Sequence, residues 1–438
     1  MYKDKFICDN ISVNENGHLL FAGQDTVELA EKYGTALYLM DEEKIRSNCR
    51  TYLTALEKAF GKGKGHALYA SKAASFKRIY EIMKEEGMGI DVVSCGEIYT
   101  AVKAGFPMEN AYFHSNNKTD EDIEYAIKNG VGCFVADNEE EILSIDKIAG
   151  AHGIKQKIMI RLTPGIDPHT FAAVTTGKVD SKFGSAIQTG RAEEITAIAL
   201  GCKNIDLIGF HCHVGSQVFD SDVYIRSAEI MLDFIAFVKE KYGYEAKCLD
   251  LGGGYGVRYT KADPVIDITA NILSVGEVIN KKCGELGINV PVISMEPGRS
   301  IVADAGMTLY SVGSLKKIPG FINYVSIDGG MTDNVRYAMY GSAYTLLPAN
   351  KMNEAPELVC SVVGRCCESG DIIQPGVELP ASVKRGDIIA TLTTGAYNYS
   401  MASNYNRVPR LPIVMLYEGK NYVAVKRETF EDVARLDV

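Results

Sequence analysis

The stretch His66-Ala67-Leu68-Tyr69-Ala70-Ser71-Lys72-Ala73 decides how the rest of the chain is read. Its first five residues suit a strand, and from Ala73 onward the pattern predicts a helix, so Lys72 falls where a strand ends. Most lysines are solvated surface residues. Here Ala70, Ser71, Ala73 and Ala74 leave room for a bulky group beside the amine. A lysine in a partly apolar site loses proton affinity and becomes a candidate Schiff-base nucleophile.

Working outward, strand-like runs recur at 66–70, 89–93, 111–115, 131–136, 158–163, 205–213, 247–251 and 291–296. Helical stretches of 3.6-residue period separate them, as from Ser221 to Lys241 and from Thr269 to Glu285. Gly87, Gly105, Gly130, Gly153 and Gly201 stand where helices should stop. Asp41 is placed to cap a helix running to about Phe60. Eight strands alternating with helices predict a parallel (β/α)8 barrel over 36–300, with a doubly wound open sheet as the alternative. Before it, Asn16-Gly17 marks a hairpin. After it the alternation stops, and runs at 307–312, 321–327, 357–364, 386–393 and 411–426 predict a mainly antiparallel β-domain joined by residues 1–35.

Composition bounds the function. The 438 residues are 46% hydrophobic and 23% charged, with a formal net charge of −10. That balance argues against nucleic acid or an anionic membrane surface as partner. No signal peptide or membrane span is expected. Eleven cysteines without a CxxC pair fit a reducing cytoplasm and argue against structural zinc.

In a barrel, catalytic groups sit at the carboxyl ends of the strands. Those ends carry Lys72, Asp91, His114-Ser115-Asn116-Asn117-Lys118, Arg161, His211-Cys212-His213-Val214-Gly215-Ser216, Asp250-Leu251-Gly252-Gly253-Gly254-Tyr255-Gly256 and Glu296-Pro297-Gly298-Arg299. The glycine run does not fit G-x-G-x-x-G and opens no βαβ unit, so a dinucleotide site is disfavoured. It suits a phosphate cradle, to which Arg299 could add a bidentate contact. His211 and His213 share a strand face and could ligate a metal. No other histidine, however, is paired with a carboxylate at ligand spacing, and no metal is expected. His213 is assigned to stacking on an aromatic cofactor and His211 to a structural role. An amine, a phosphate cradle, a flat ring and the Glu296 carboxylate are what pyridoxal 5'-phosphate needs.

Tyr69-Ala70-Ser71-Lys72-Ala73, His213-Val214-Gly215-Ser216-Gln217, the glycine run and Glu296-Pro297-Gly298-Arg299 resemble the fold-type III pyridoxal-phosphate decarboxylases. Phe113 to Lys118, Ser181-Lys182-Phe183-Gly184, Cys367-Glu368-Ser369-Gly370-Asp371 and Gly395-Ala396-Tyr397 are similar to the diaminopimelate decarboxylase branch. The resemblance covers nearly the whole chain. It implies an alanine-racemase-type barrel with a β-domain, and a homodimer whose two active sites are shared between subunits. Lys72 would be the Schiff-base lysine, His213 the stacking ring and Glu296 the partner of the pyridine nitrogen. Gly254 and Tyr397 would hold the phosphate, and Asp91, Arg161, Ser216, Gly298 and Arg299 would complete the cofactor set. Arg299, Arg336, Tyr340 and Tyr397 would bind substrate, while Cys367 and Glu368 would reach the neighbouring subunit's site.

An acid at Glu368 and two arginines suit a substrate whose distal end is itself an amino acid, as in meso-diaminopimelate; burying that zwitterion unpaired would cost several kcal/mol per ion, roughly. The expected outcome is loss of CO2 and release of L-lysine, with Cys367 and Lys72 as candidate proton donors. The adjacent Cys366-Cys367 leaves open which thiol faces the cofactor. A decarboxylase for carboxynorspermidine or a basic amino acid, a racemase, a pyridoxal-phosphate carrier and a zinc hydrolase are the alternatives.

Overall fold

The computed structural model describes residues 2–166 and 180–438. All eight expected strands are present: Gly65–Ala70, Gly89–Val92, Ala111–Phe113, Cys133–Ala136, Gln156–Thr163, Ile205–His211, Cys248–Asp250 and Val292–Met295. Neighbours run parallel, Cys133–Ala136 continues the ladder to Gln156–Thr163, and Val292–Met295 pairs back onto Gly65–Ala70. The sheet is therefore a closed barrel, and the open-sheet alternative falls. Runs such as Cys133–Ala136 are buried throughout, the pattern of strands covered on both faces.

The helices between the strands follow local signals. Thr119 closes a capping box over Asp120–Lys128, and Asn138, Asp220 and Asp267 cap the starts of three more, each satisfying backbone N–H groups that the helix leaves orphaned. Gly87, in the left-handed region at φ +76, ends the helix Lys77–Glu86. The Glu42–Phe60 helix precedes the first barrel strand, and Asp41 Oδ1 accepts from Lys44 N–H at 3.1 Å. Gly276 of the last barrel helix packs against Ala59 so closely that a Cβ would meet it at 2.8 Å, which brings the carboxyl half of the Glu42–Phe60 helix into the ring.

The chain folds as two units, one of residues 48–256 and 266–298 and the other of 1–47, 257–265 and 299–438. These limits differ from 36–300 at both ends. Leu37–Asp41, fully buried, finds both ladder partners in the second unit: Gly306–Lys316 antiparallel and Ile413–Tyr417 parallel. Ladder bonding, not sequence position, assigns that strand.

The second unit is a largely antiparallel sheet. Ile11–Val13 pairs with Leu19–Phe21 across the expected Asn16-Gly17 turn, and Ile413–Tyr417 with Lys420–Val425 across Glu418-Gly419. Its core joins Leu19, Phe21, Leu39, Leu309, Ala390 and Val414, and each such buried leucine contributes about 2 kcal/mol. Thr26–Tyr33, Leu346–Pro348 and Ile372–Pro380 are among the elements with no counterpart in the sequence expectation; Ile372–Pro380 is the longest of them. The last carries Pro375-Gly376, which reads as a turn. It nonetheless pairs with Pro356–Val363 through repeated register shifts, the irregularity that admits proline and glycine into a ladder.

Candidate active site

The first barrel strand stops at Ala70, and Ser71–Ala73 form a single 3-10 turn. Ala74 is extended, and the next helix begins only at Lys77, four residues later than the sequence pattern predicts. Ser71, Ala73 and Ala74 are buried while Lys72 is exposed. The small-residue niche is present: a Cβ on Gly298 would lie 2.8 Å from Ala70 Cβ and 3.3 Å from Ala73 Cβ. Lys72 itself is exposed rather than enclosed in an apolar pocket.

Glu296 follows the last strand and is buried between two histidines. Its Oε1 lies 2.7 Å from His114 Nε2 and its Oε2 lies 3.2 Å from His211 Nε2. The two rings meet edge to face at 4.9 Å. Burial works against ionisation of Glu296, but His114 and His211 overcome it and hold the carboxyl well below the usual range. His211 is pushed down to about 4, first by burial, so it is neutral and its Nε2–H donates to Glu296 Oε2. Burial, followed by the Glu296 charge, pushes Asp250 well up. Asp91, 3.9 Å from His114 Nε2, is raised by burial and by Glu296, against His114, Lys72 and Arg161. Glu296 is thus the carboxyl that its neighbours hold ionised, while Asp250 and Asp91 are shifted the other way.

The sequence reading gives His211 only a structural role and His114 none; the structure puts both on Glu296. A histidine does therefore stand beside a carboxylate, contrary to the sequence expectation. The potential ligand atoms of His114, His211 and Glu296 lie within 4.8 Å of one another; His211 Nε2 is hydrogen-bonded to Glu296 Oε2, whereas His114 Nε2 and Glu296 Oε1 are in ion-pair contact without a hydrogen bond. Glu97 is a further residue that the sequence reading passes over. Its Oε2 accepts Val93 N–H at 2.7 Å, and burial, with Asp91 adding to it, pushes it up to about 7 despite the opposing pull of that bond and of Lys72. Ser94-Cys95-Gly96-Glu97 matches a capping box, so the sequence offers a structural explanation that hides its place beside Lys72.

The glycine run distributes its amides. Asp250 Oδ1 accepts Gly252 N–H at 2.8 Å, and His213 Nδ1 accepts Gly253 N–H at 3.2 Å. That bond fixes the proton on Nε2 of His213. Burial, then the positive charges of Lys72 and Arg161, hold this ring well below the usual histidine range, so it is a neutral, flat imidazole. Gly254 sits at φ +114, where a Cβ would lie 2.2 Å from Gly215 O; only glycine fits. Its carbonyl accepts Val218 N–H at 2.9 Å, tying the loop that carries Ser216 to the glycine run. Its own N–H has no partner among the described residues. Arg161 lies 4.4 Å over the Phe183 ring.

These residues fit pyridoxal 5'-phosphate. An accessible amine, a neutral imidazole, a carboxylate held ionised in a buried site and an unspent glycine amide match the aldehyde, the ring, the ring nitrogen and the phosphate. Of the cofactor residues expected from sequence, Lys72, Asp91, Arg161, His213, Ser216, Gly254, Glu296 and Gly298 belong to the barrel unit.

The remaining expected residues belong to the second unit. Arg299 Nη1 donates to Tyr259 Oη at 2.6 Å, and its guanidinium lies 4.7 Å over the Tyr397 ring. The Arg336 guanidinium lies 5.5 Å over Tyr340, 5.7 Å over Tyr397 and 5.8 Å over Tyr259. Both arginines are buried. Among the described residues Arg336 has no ion-pair partner, and its Nε has no hydrogen bond. Tyr259, which touches both, carries no sequence signal. Cys367 and Glu368 stand apart on an exposed loop. Asp371 shapes it by accepting Cys366 N–H at 2.7 Å and Met331 N–H at 2.6 Å, while Cys367 N–H donates to Asn406 Oδ1 at 2.8 Å. Burial and then Asp371 push the Cys366 thiol up to about 11; Cys366 is half-buried and Cys367 is the exposed member of the pair.

Comparison with known proteins gives one family. Residues 42–303 match the pyridoxal-binding domain of the pyridoxal-dependent decarboxylases. The chain is 43% identical to the diaminopimelate decarboxylase of Bacillus subtilis over 97% of its own length and 96% of the relative's. It is 40% identical to that of Staphylococcus aureus, over 97% and 98%. Among solved structures, diaminopimelate decarboxylase from M. jannaschii superposes with a TM-score of 0.91 at 33% identity, over 98% of both chains. The same enzyme in complex with L-lysine gives 0.90.

Proposed function

The chain belongs to the pyridoxal-dependent decarboxylase family, and from that premise we propose that it converts meso-2,6-diaminopimelate to L-lysine and CO2, the last step of lysine biosynthesis. The observation that carries the substrate choice is Arg336, buried among tyrosines with no ion-pair partner among the described residues. An unpaired buried cation is costly, and a substrate with a distal carboxylate relieves that cost. Ornithine and arginine have no such group.

The cofactor, when bound, supplies a protonated ring that accepts the electron pair left by departing CO2. Lys72 holds it through its amine, His213 stacks on it and Glu296 keeps the ring nitrogen protonated. Gly254 and Tyr397 hold the phosphate, and Asp91, Arg161, Ser216, Gly298 and Arg299 complete the cofactor set. Arg299, Arg336, Tyr340 and Tyr397 bind substrate, with Glu368 for the distal ammonium. Cys367 and Lys72 are the candidate donors of the proton that replaces the carboxylate. The exposure of Cys367 and Glu368 supports a homodimer in which this loop serves the neighbouring subunit's site. Free cysteines throughout and the lack, among described residues, of a helix able to cross a membrane support a cytoplasmic location.

The test is to supply the cofactor-loaded protein with meso-diaminopimelate, carboxynorspermidine, ornithine and arginine and measure CO2 from each. Release from diaminopimelate alone is expected; preference for any other substrate overturns the assignment.

A further inference from the structure

Little in its own surroundings fixes the aim of Arg336. Its guanidinium has no ion-pair partner among the described residues, and its Nη2 donates to Ser342 Oγ at 3.3 Å. The short helix Arg336–Tyr340 opens on Val335 without a side-chain cap. The turn that delivers the arginine therefore has to hold it in place.

That turn, Gly329 to Asn334, closes on Asp333. Asp333 N–H and Asn334 N–H donate to Gly330 O at 3.0 and 2.9 Å, and Asp333 Oδ2 accepts Gly330 N–H at 2.9 Å. The turn is also tied to the sheet. Tyr310 Oη donates to Asp333 Oδ1, and Tyr38 Oη donates to the Asp333 carbonyl at 2.6 Å. The two phenols share one face, because Tyr38 is paired with Thr308, two residues from Tyr310 on the neighbouring strand. Gly329 leaves room for this arrangement: a Cβ there would lie 2.2 Å from Tyr310 Cε1 and 2.8 Å from Asp333 Oδ2. Asp333 is buried. Burial pushes its carboxyl up to about 7 against the bonds from Tyr310 and Gly330, with Asp371 and Asp328 adding to the rise, so the group is mainly ionised at pH 8. A buried carboxylate is costly unless it is hydrogen-bonded, and here its bonds go to the turn before Arg336 and to the strand that anchors that turn.

We infer that Asp333 is a positioning residue for substrate binding, holding the turn from which Arg336 reaches the distal carboxylate of the substrate. This role rests on the substrate proposed above, and one set of kinetics separates the two. Asp333→Asn keeps the shape of the side chain but sets an amide donor against a donor, either Tyr310 Oη or Gly330 N–H. Tyr310→Phe keeps the ring and removes one of the two donors. Both variants, loaded with cofactor at pH 8, are compared with the unmodified protein, Arg336→Ala and the Asp333→Asn/Arg336→Ala double variant; near-ultraviolet dichroism checks folding. Misplacing Arg336 predicts a KM for meso-diaminopimelate roughly tenfold higher in Asp333→Asn, with kcat and the absorption of the bound cofactor unchanged. Tyr310→Phe should raise KM by less. The double variant should match Arg336→Ala in kcat/KM, because Asp333 acts only through that arginine. An unchanged KM in folded Asp333→Asn overturns the role, as does a double variant weaker than Arg336→Ala by the full Asp333→Asn factor. Should Asp333→Asn not fold, an unchanged KM in Tyr310→Phe overturns it instead. If the unmodified protein releases no CO2 from meso-diaminopimelate, the substrate assignment itself falls, and this role with it.

Discussion

At the scale of single residues, the chemistry depends on which groups are charged. His211 is fully buried with its pKa lowered to about 4, against about 6.5 in an unfolded chain. Between those values the unfolded state binds a proton that the folded state refuses. Stability therefore rises with pH across that window and is lost as pH falls from about 6.5 to about 4, by up to about 3 kcal/mol. Thermal melts of the cofactor-free protein should show this slope, and His211→Gln should flatten it; an unchanged slope would assign the acid sensitivity elsewhere. Lys72→Ala should abolish the visible absorption of the bound cofactor together with turnover, because it removes the amine that would hold the cofactor. Lys72, His213 and Glu296 are legible in the sequence because each sits inside a distinctive motif. His114, Glu97 and Tyr259 are not. Their roles arise from contacts between strands and loops far apart in sequence, which no local spacing encodes.

At the scale of elements, the glycine run shows how closely backbone can be packed. A Cβ on Gly253 would lie 2.0 Å from the backbone oxygen of Glu296, and neither atom belongs to a side chain that could swing aside. Gly253→Ala should cost at least about 1–3 kcal/mol and displace Glu296, read as a lower urea midpoint and weaker cofactor retention. Gly284 is the contrast. It lies in the last barrel helix, and a methyl group added there would have nothing within 4 Å. Gly284→Ala should therefore raise stability by about 0.5–1 kcal/mol, read as a higher urea midpoint. The eight barrel strands are legible because each is a short apolar run bounded by helical period. Ile372–Pro380 is hidden by Pro375-Gly376, whose local preference for a turn is overridden by pairing with Pro356–Val363. The helix expected from Ala73 starts late because Ala74 and Phe76 are held extended.

At the scale of the whole molecule, the proposed sharing of active sites makes a prediction that no single chain can meet. Lys72→Ala and Glu368→Ala proteins should each have little activity. Mixed under conditions that exchange subunits, they should recover about a quarter of the unmodified activity, since half the dimers would be mixed and each would carry one intact site. No recovery despite exchange would place Glu368 outside the partner's site. The closed barrel has a different consequence, one of time. Its seam joins Gly65–Ala70 to Val292–Met295, and Gly298 presses on the niche beside Lys72. Ribosomes add about 5–20 residues per second, so more than 220 residues, and on the order of ten to fifty seconds of synthesis, separate the lysine from the strand that completes its surroundings. Throughout that interval Lys72 is an ordinary amine on a nascent chain, and selective capture of the cofactor has to wait for the seam to close.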